Sequence, residues 1–304
     1  MPNIWTHMLF CEEAADKMER PDAFLQHEAA MKLGAQGPDP FFYYSFWPWT
    51  REKPVNQMGL VLHQQKCGDF LMDLIERAKN RDDQVRAFVF GFITHHILDR
   101  NTHPYIHYRA GYEGNDHQKL EVFIDTLMME KYHNLKTWRS QVYKEMDTGR
   151  KFLAIIGDLL AEAIAANYPD FSARSPRTIK KAYQDMFLAL KLLADPYGWK
   201  NKLLKPLVSP YSHRPVEDHA DYLNLSHRTW HHPATNEPCS KSFVDLYNQA
   251  KTEGVEIMTD LIFYWNTGDK TYWERLDERI GNISYDTGKP LSQNLQNRYS
   301  DPII

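Results

Sequence analysis

Apolar residues recur at three- and four-residue spacing along most of the chain, and no segment alternates for long between apolar and polar positions. The first spacing places apolar side chains on one face of a helix, whereas alternation would indicate a strand. Repeats and Gly/Ser linkers are absent from the sequence, so the pattern predicts an all-α, single-domain helical bundle. The predicted helices include residues 4–19, 22–33, 56–79, 142–146, 152–166, 175–194 and 240–265.

Capping residues predict two further helices in the middle of the chain. Asn80, followed by two aspartates, is typical of the start of a helix that runs past Asp99. Pro104 disfavours helical geometry at the preceding residue, so we expect this helix to end near His103. Asn115 can cap the next helix.

Glycine and proline interrupt the helical pattern between residues 34 and 54. Asp39 lies there between two prolines, which we expect to hold its backbone extended and to present its carboxylate rigidly. Seven aromatic residues follow within residues 41–49. Such a run is typical of a core or an interface, and an aromatic wall beside a ligand pocket is the alternative.

Two later stretches also lack helical periodicity. Residues 195–239 are rich in proline, so we expect an irregular segment that covers the surface. The tail over residues 281–304 is polar, and we expect it to be loosely packed.

Composition and charge narrow the possible classes of protein. The 304 residues are 42% hydrophobic and 25% charged, as is ordinary for a globular protein. The formal net charge is -4, and this charge gives no sign of a stable nucleic-acid partner. Three distant cysteines argue against a disulfide framework and indicate reduced thiols. Signal-peptide features and apolar runs of about 18 residues are absent, so we expect a cytoplasmic protein without a transmembrane segment. The oligomeric state is not indicated.

The candidate chemistry is concentrated between Gly91 and Asp125, where five of the 14 histidines lie. His95 and Asp99 are four residues apart, as are His117 and Glu121, so each pair shares one face of a helix. Imidazole and carboxylate are common ligands of zinc and related cations. Either pair alone could be a helix-surface hydrogen bond, but the two together indicate a metal site.

His103 adds to these pairs, because it follows Asp99 by four residues. His96 is the rival of His95, but its partner four residues later is Arg100, which is not a ligand; His107 is a reserve candidate. His63 on its own is typical of a core histidine. Two cations bridged by a carboxylate can activate water and bind a phosphoryl group, so the pattern favours metal-dependent hydrolysis with Asp99 as the bridge.

The sequence resembles the zinc-dependent phospholipase C family, whose all-helical fold is shared with the fungal single-strand nucleases. The resemblance rests on GFITHHILDRNTHPYIHY followed by HQKLEVFID, on the aspartate of the GPDPFFY loop, and on a histidine in the first helix. It is good in order and spacing over residues 1–130 and looser to about residue 265.

The resemblance implies a hydrolase that cleaves a small phosphodiester or a phospholipid with a metal-activated water that attacks phosphorus. It implies two or three divalent ions, zinc in the family, with manganese, iron or nickel as alternatives. The implied ligands are Asp39, His63, His95 and Asp99 for the first ion, His103, His117 and Glu121 for the second, and His7 with Asp99 for the third. Asp39 and Asp99 are the implied catalytic carboxylates, and Asp39 is a candidate to orient or deprotonate the water.

One position departs from the family pattern. Secreted members bind the third ion with the amino group of an N-terminal tryptophan, whereas Trp5 is internal here. We therefore expect the third position to be absent, weaker, or rebuilt with His27.

Two other functions are compatible with the same residues. A single-strand nuclease or phosphatase-like hydrolase could use the aromatic run for base stacking, although the net charge gives little help. A non-catalytic metal-binding helical protein is the third possibility. The absence of repeats, linkers and sharp changes of composition leads us to expect one hydrolase-like domain over 1–304. We expect the metal site in 1–130, helices and surface cover over 131–280, and the loose tail in 281–304.

Overall fold

The computed structural model describes residues 3–18, 24, 26–47, 54–171, 175–203, 211–217 and 219–304. Helices dominate these residues and strands are almost absent from them, which confirms the predicted all-α fold. The α-helices are α1 (Ile4–Lys17), α2 (Glu28–Gly34), α3 (Pro54–Gln64), α4 (Cys67–Ala78), α5 (Asp83–Ala110), α6 (Asp116–His133), α7 (Gly149–Asn167), α8 (Pro176–Leu193), α9 (Trp199–Leu203), α10 (Phe243–Thr267) and α11 (Lys270–Ile280).

Short elements complete the fold. Among the described residues, four 3₁₀ helices cover Asp39–Tyr43, Thr137–Arg139, Val142–Lys144 and Leu291–Gln293. The strands β1 (Trp230–His231) and β2 (Pro238–Cys239) pair antiparallel, with Trp230 opposite Cys239. In the part of the chain that the structure describes, no helix combines the length and the apolar character needed to cross a bilayer.

Helix α5 is the centre of the molecule, and α1, α2, α6 and α10 pack around it. Its crossing with α2 brings two backbones into direct contact. A Cβ on Gly34 would lie 1.9 Å from the carbonyl oxygen of Phe88, and one on Gly91 would lie 2.0 Å from that of Met31. Because only glycine permits this approach, the pair fixes how the end of α2 meets α5.

The predicted end of α5 near His103 is wrong, because the helix continues through Pro104 to Ala110. A proline inside a helix removes the N–H that the carbonyl four residues earlier would accept, here that of Arg100. Gly288 lies against that carbonyl, and a Cβ on Gly288 would be 2.1 Å from its oxygen. Tertiary packing therefore holds the interrupted turn, and the same face of the helix extends to His107.

Several predicted boundaries also need correction. The predicted helix 56–79 is divided into α3 and α4 at Lys66, whose φ of 47° is left-handed. Asp82, not Asn80, caps α5 by accepting the N–H of Val85 at 2.9 Å. Helix α10 begins at Phe243, later than predicted, and Ser242 caps it in a reciprocal pair with Asp245. The predicted helix over 142–146 is the short 3₁₀ helix over 142–144.

The structure describes only part of the second predicted helix, over 22–33. Residues 22, 23 and 25 lie outside the described residues, and α2 starts at Glu28 with His27 as its N-terminal flanking residue. Asn115 does precede α6, but its side chain accepts the hydroxyl of Tyr211 at 3.0 Å and does not cap the helix.

Part of the tail is firmly packed, contrary to the expectation from its polarity. Tyr285 is 1% exposed, and its ring lies 4.4 Å from that of His96 and 4.8 Å from that of His63. Its N–H donates to the carbonyl of His63 at 3.2 Å. A few anchoring contacts of this kind hold a polar segment that has no periodic apolar pattern.

The segment 195–239 is likewise more than surface cover, since Tyr222, Leu223 and Trp230 are buried. The hydroxyl of Tyr105 on α5 donates to the carbonyl of Tyr222 at 2.7 Å.

Candidate metal centre

Asp99 lies at the centre of a cluster of histidines and is fully buried. Its Oδ2 is 3.0 Å from Nε2 of His95 and 4.0 Å from Nε2 of His63. Its Oδ1 is 3.3 Å from Nε2 of His7 and 3.4 Å from Nε2 of His103. Each oxygen of one carboxylate therefore faces two imidazoles, which is the arrangement that a bridging ligand requires.

The continuity of α5 explains half of this geometry. His95, Asp99, His103 and His107 follow one another at four-residue spacing, so they form a stripe along one face of the helix. The interruption at Pro104 does not break the stripe, because the helix passes through it.

Backbone carbonyls orient two of the rings. Nδ1 of His95 donates to the carbonyl of Ala35 at 2.9 Å, and Nδ1 of His63 to that of Gly59 at 2.7 Å. A histidine that donates from Nδ1 keeps the lone pair on Nε2. In both residues the Nε2 atoms are the ones that face the carboxylates.

Asp39 forms a second wall of the cluster. Its Oδ1 lies 3.5 Å from Nε2 of His63 and 3.7 Å from Nε2 of His95. The expectation of an extended backbone is wrong, because Asp39 begins a 3₁₀ helix with Pro40 in its first turn. Proline is tolerated there, since its missing N–H would have no partner within the helix.

His7 reaches the cluster from α1, whose first turn is anchored by Asp125 on α6. The Asp125 carboxylate accepts the N–H of Thr6 at 2.7 Å, the hydroxyl of Thr6 at 2.5 Å and the N–H of Trp5 at 3.0 Å. Burial raises the pKa of Asp125 to about 7, and these three hydrogen bonds oppose that rise. Asp125 is thus a residue that positions His7, a role that the sequence pattern did not reveal.

A further group joins α5 to α6. His103, His117 and Glu121 offer ligand atoms that all lie within 4.8 Å of one another, and Nε2 of His117 is 2.7 Å from Oε1 of Glu121. The i, i+4 pair on α6 therefore faces the stripe on α5.

Sequence reasoning missed Asp286, which comes from the tail. Its Oδ1 lies 3.6 Å from Nδ1 of His103 and 3.7 Å from Nε2 of His107. A residue in a polar tail has no periodic spacing to a metal motif. The one available signal was His107, four residues after His103.

His27 does not join any of the metal-ligand groups found among the described residues. It precedes α2, a seven-residue helix about 10 Å long. Ala35, at the other end of that helix, is the residue that contacts His95. The structure therefore does not bring His27 to the cluster.

The separations between donor atoms fit ligands of a shared cation. Most of the imidazole–carboxylate separations around Asp99 and Asp39 are 3.3–3.7 Å, longer than an N–H···O hydrogen bond. Ligands about 2.0–2.2 Å from a tetrahedral ion lie roughly 3.3–3.6 Å apart. Within the described chain, neither oxygen of Asp99 receives a hydrogen bond.

The charge balance fits a cation as well. Burial lowers the pKa of His7 and of His103 to about 4, which leaves both imidazoles neutral at pH 7. Burial alone would raise the pKa of Asp99, but the surrounding histidines hold it well below its ordinary range. Burial lowers the pKa of His95, but Asp99 and Asp39 outweigh this and raise it. A buried carboxylate among mainly neutral rings requires compensating positive charge.

The fold and this cluster define an all-helical protein built around a buried carboxylate with candidate metal positions on both sides. The chain belongs to the zinc dependent phospholipase C family, whose sequence model matches residues 6–169. The matched range contains all the predicted ligands, and Asp286 lies beyond it. Comparison with curated proteins and with solved structures gives no match.

Proposed function

We propose that the protein is a metal-dependent phosphodiester hydrolase of the phospholipase C type. The observation that supports this most is Asp99, because each of its oxygens faces two imidazoles in a fully buried position. Membership of the family supplies the class of reaction.

The residues of the cluster divide into three cation positions in this proposal. Asp39, His63, His95 and Asp99 would hold the first ion, and His103, His117 and Glu121 would hold the second. Oδ1 of Asp99 and His7 contribute to a third, incomplete position. Bound zinc lowers the pKa of water and neutralises the charge that develops on a phosphoryl group.

Asp39 and Asp99 have different roles in this proposal, because their side chains differ in solvent exposure. The side chain of Asp99 is 0% exposed, which suits a bridging ligand that substrate never contacts. The side chain of Asp39 is 13% exposed and has one oxygen directed at His63 and His95. We assign to Asp39 the orientation or deprotonation of the attacking water, because it is the more accessible carboxylate.

The aromatic run after Asp39 forms part of the surroundings of the site. The ring of Phe42 lies 5.5 Å from that of His63, and Phe46 stacks on Trp47 at 4.7 Å. These half-buried rings suit the apolar part of a phospholipid, and they could also stack on bases, which is the nuclease alternative. Pro48 and Trp49 lie outside the described residues.

The test measures metal content and substrate choice together. Purified protein is assayed for zinc, manganese and iron, then for hydrolysis of bis-p-nitrophenyl phosphate, phosphatidylcholine and single-stranded DNA. We expect stoichiometric metal and release of phosphocholine. Preferential cleavage of DNA would support the nuclease, and protein without stoichiometric metal would refute the proposal.

Asp99→Ala separates an enzyme from a non-catalytic metal-binding protein. A bridging ligand should be indispensable, so this variant should lose metal and all hydrolysis together. Wild-type protein that binds metal but cleaves none of the three substrates would support the non-catalytic alternative.

A further inference from the structure

The turn that carries Asp286 in the tail directs one oxygen of its carboxylate toward the stripe of histidines on α5. The hydroxyl oxygen of Ser284 accepts the N–H groups of Asp286 and Thr287 at 3.2 and 3.3 Å. The side-chain amide of Gln64 donates to Oδ2 of Asp286 at 2.9 Å. The other oxygen, Oδ1, is the one that faces His103 and His107.

His103 shares the orientation of the two rings on the other side of Asp99. His63 and His95 turn Nε2 toward the carboxylates and donate Nδ1–H to a backbone carbonyl. His103 also turns Nε2 toward Asp99, but its Nδ1 faces Asp286. Metal-binding histidines almost always donate their second ring N–H to a carboxylate, a carbonyl or water.

We propose that Asp286 is a positioning residue for His103: it accepts the Nδ1–H, fixes the tautomer and leaves the Nε2 lone pair for the cation shared with His117 and Glu121. This inference rests on the proposed function. The separation between Nδ1 of His103 and Oδ1 of Asp286 is 3.6 Å, longer than a closed hydrogen bond.

The alternative is that Asp286 binds a separate cation together with His103 and His107, since these residues also offer ligand atoms within 4.8 Å. A neutral imidazole carries one lone pair, so His103 can serve one of the two positions at a time. The family-type ligand set needs that lone pair on Nε2, which leaves the proton on Nδ1 beside Asp286.

Asp286 lies outside residues 6–169, the range that matches the family. A matched ligand would therefore depend on a group from an unmatched part of the chain. Gly288 secures that part against the carbonyl of Arg100, next to Pro104.

The experiment measures cation affinity directly, so it does not depend on activity. The full metal-free chain is titrated with Co²⁺ against a chromophoric chelator, and the visible spectrum of bound cobalt is recorded. The variants are Asp286→Ala, Asp286→Asn and His107→Ala. Asp301→Ala is the matched control, because Asp301 pairs with Arg109 on the same helix from the same tail.

We expect Asp286→Ala to lower the affinity for one cobalt ion about ten- to a hundredfold and to change the visible spectrum of that ion. The number of ions bound at saturation should not change. Asp286→Asn should recover most of the affinity, because its amide oxygen can accept the N–H while the exposed Gln64 turns its own amide. His107→Ala and Asp301→Ala should stay within about threefold of the wild type. If the Asp286→Ala protein does not fold, the measurement on the Asp286→Asn protein provides the test.

Wild-type affinity in both Asp286 variants would overturn the positioning role. Loss of a whole cobalt equivalent in both Asp286→Ala and His107→Ala would overturn it in favour of a separate cation site. A wild-type chain that binds no cobalt would instead refute the proposed function, so the two failures are distinguishable.

Discussion

The backbone of Gly37 lies so close to the ring of His95 that a Cβ on Gly37 would be 2.4 Å from Cδ2 of that ring. Gly37 has a φ of 51°, in the left-handed region where glycine is favoured. This contact places the turn that precedes Asp39 directly against His95, which is a candidate metal ligand. The close approach links the 3₁₀ helix of Asp39 to the stripe on α5.

Gly37→Ala should therefore displace His95 or Asp39 and remove the first cation. We expect the loss of about one zinc per chain, measured by elemental analysis, in addition to about 1–2 kcal/mol for the left-handed alanine. Gly114→Ala is the matched control, since Gly114 has a φ of 50° and nothing within 4 Å of the added methyl. Equal zinc content in the two variants would contradict the role of Gly37.

Asp125→Ala should loosen α1 and with it His7. Three hydrogen bonds from the first turn of α1 end on this buried carboxylate, so we expect a loss of about 1–3 kcal/mol in urea unfolding. We also expect weaker binding of zinc at the third position, to which His7 contributes. Asp269→Ala is the control, because Asp269 caps α11 at an exposed position and should cost about 1 kcal/mol without any change in zinc.

Acid should destabilise the metal-free protein between about pH 6.5 and pH 4. The pKa of His7 and of His103 is about 4 in the folded chain, lowered from 6.5, so the unfolded chain binds more protons in this window. The contribution of these two histidines is therefore full above pH 6.5 and is lost as the pH falls, by at most about 3 kcal/mol for each. Asp125, whose pKa is raised to about 7, offsets part of this loss, because it binds its proton more tightly in the folded chain. His95, whose pKa is raised, gives up its stabilisation only above pH 6.5.

Urea unfolding of metal-free protein at several pH values measures this slope. Bound zinc should steepen it, because ligation excludes the proton from the folded chain while the unfolded chain still binds it. His7→Asn should remove part of the slope. A His7→Asn protein with the wild-type slope would show that His7 does not titrate as its burial implies.

The sequence predicted the parts of the centre that depend on local geometry. His95 with Asp99, and His117 with Glu121, are brought together by the pitch of one helix, which spacing alone specifies. The approach of His7, Asp39 and His63 depends on how separate elements pack, and resemblance to a family suggested it where spacing could not.

The parts that sequence could not predict depend on contacts between distant segments. The continuation of α5 through Pro104 contradicts the local preference of the residue before a proline, and Gly288 helps to make it possible. Asp286 belongs to a polar tail without periodicity, so only the folded chain brings it to His103.

Gly288→Ala tests whether this packing of the tail is required. The added methyl would lie 2.1 Å from the carbonyl oxygen of Arg100, a backbone atom that cannot move away, and φ at Gly288 is 61°. We expect a loss of at least about 2 kcal/mol in urea unfolding and faster proteolysis of the tail. Gly268→Ala is the matched control, because its φ is 71° but the nearest neighbour is the flexible end of Lys79 at 3.4 Å. It should show only the smaller backbone cost. If the two variants were equally stable, the contact between Gly288 and Arg100 would not be what anchors the tail beside the metal centre.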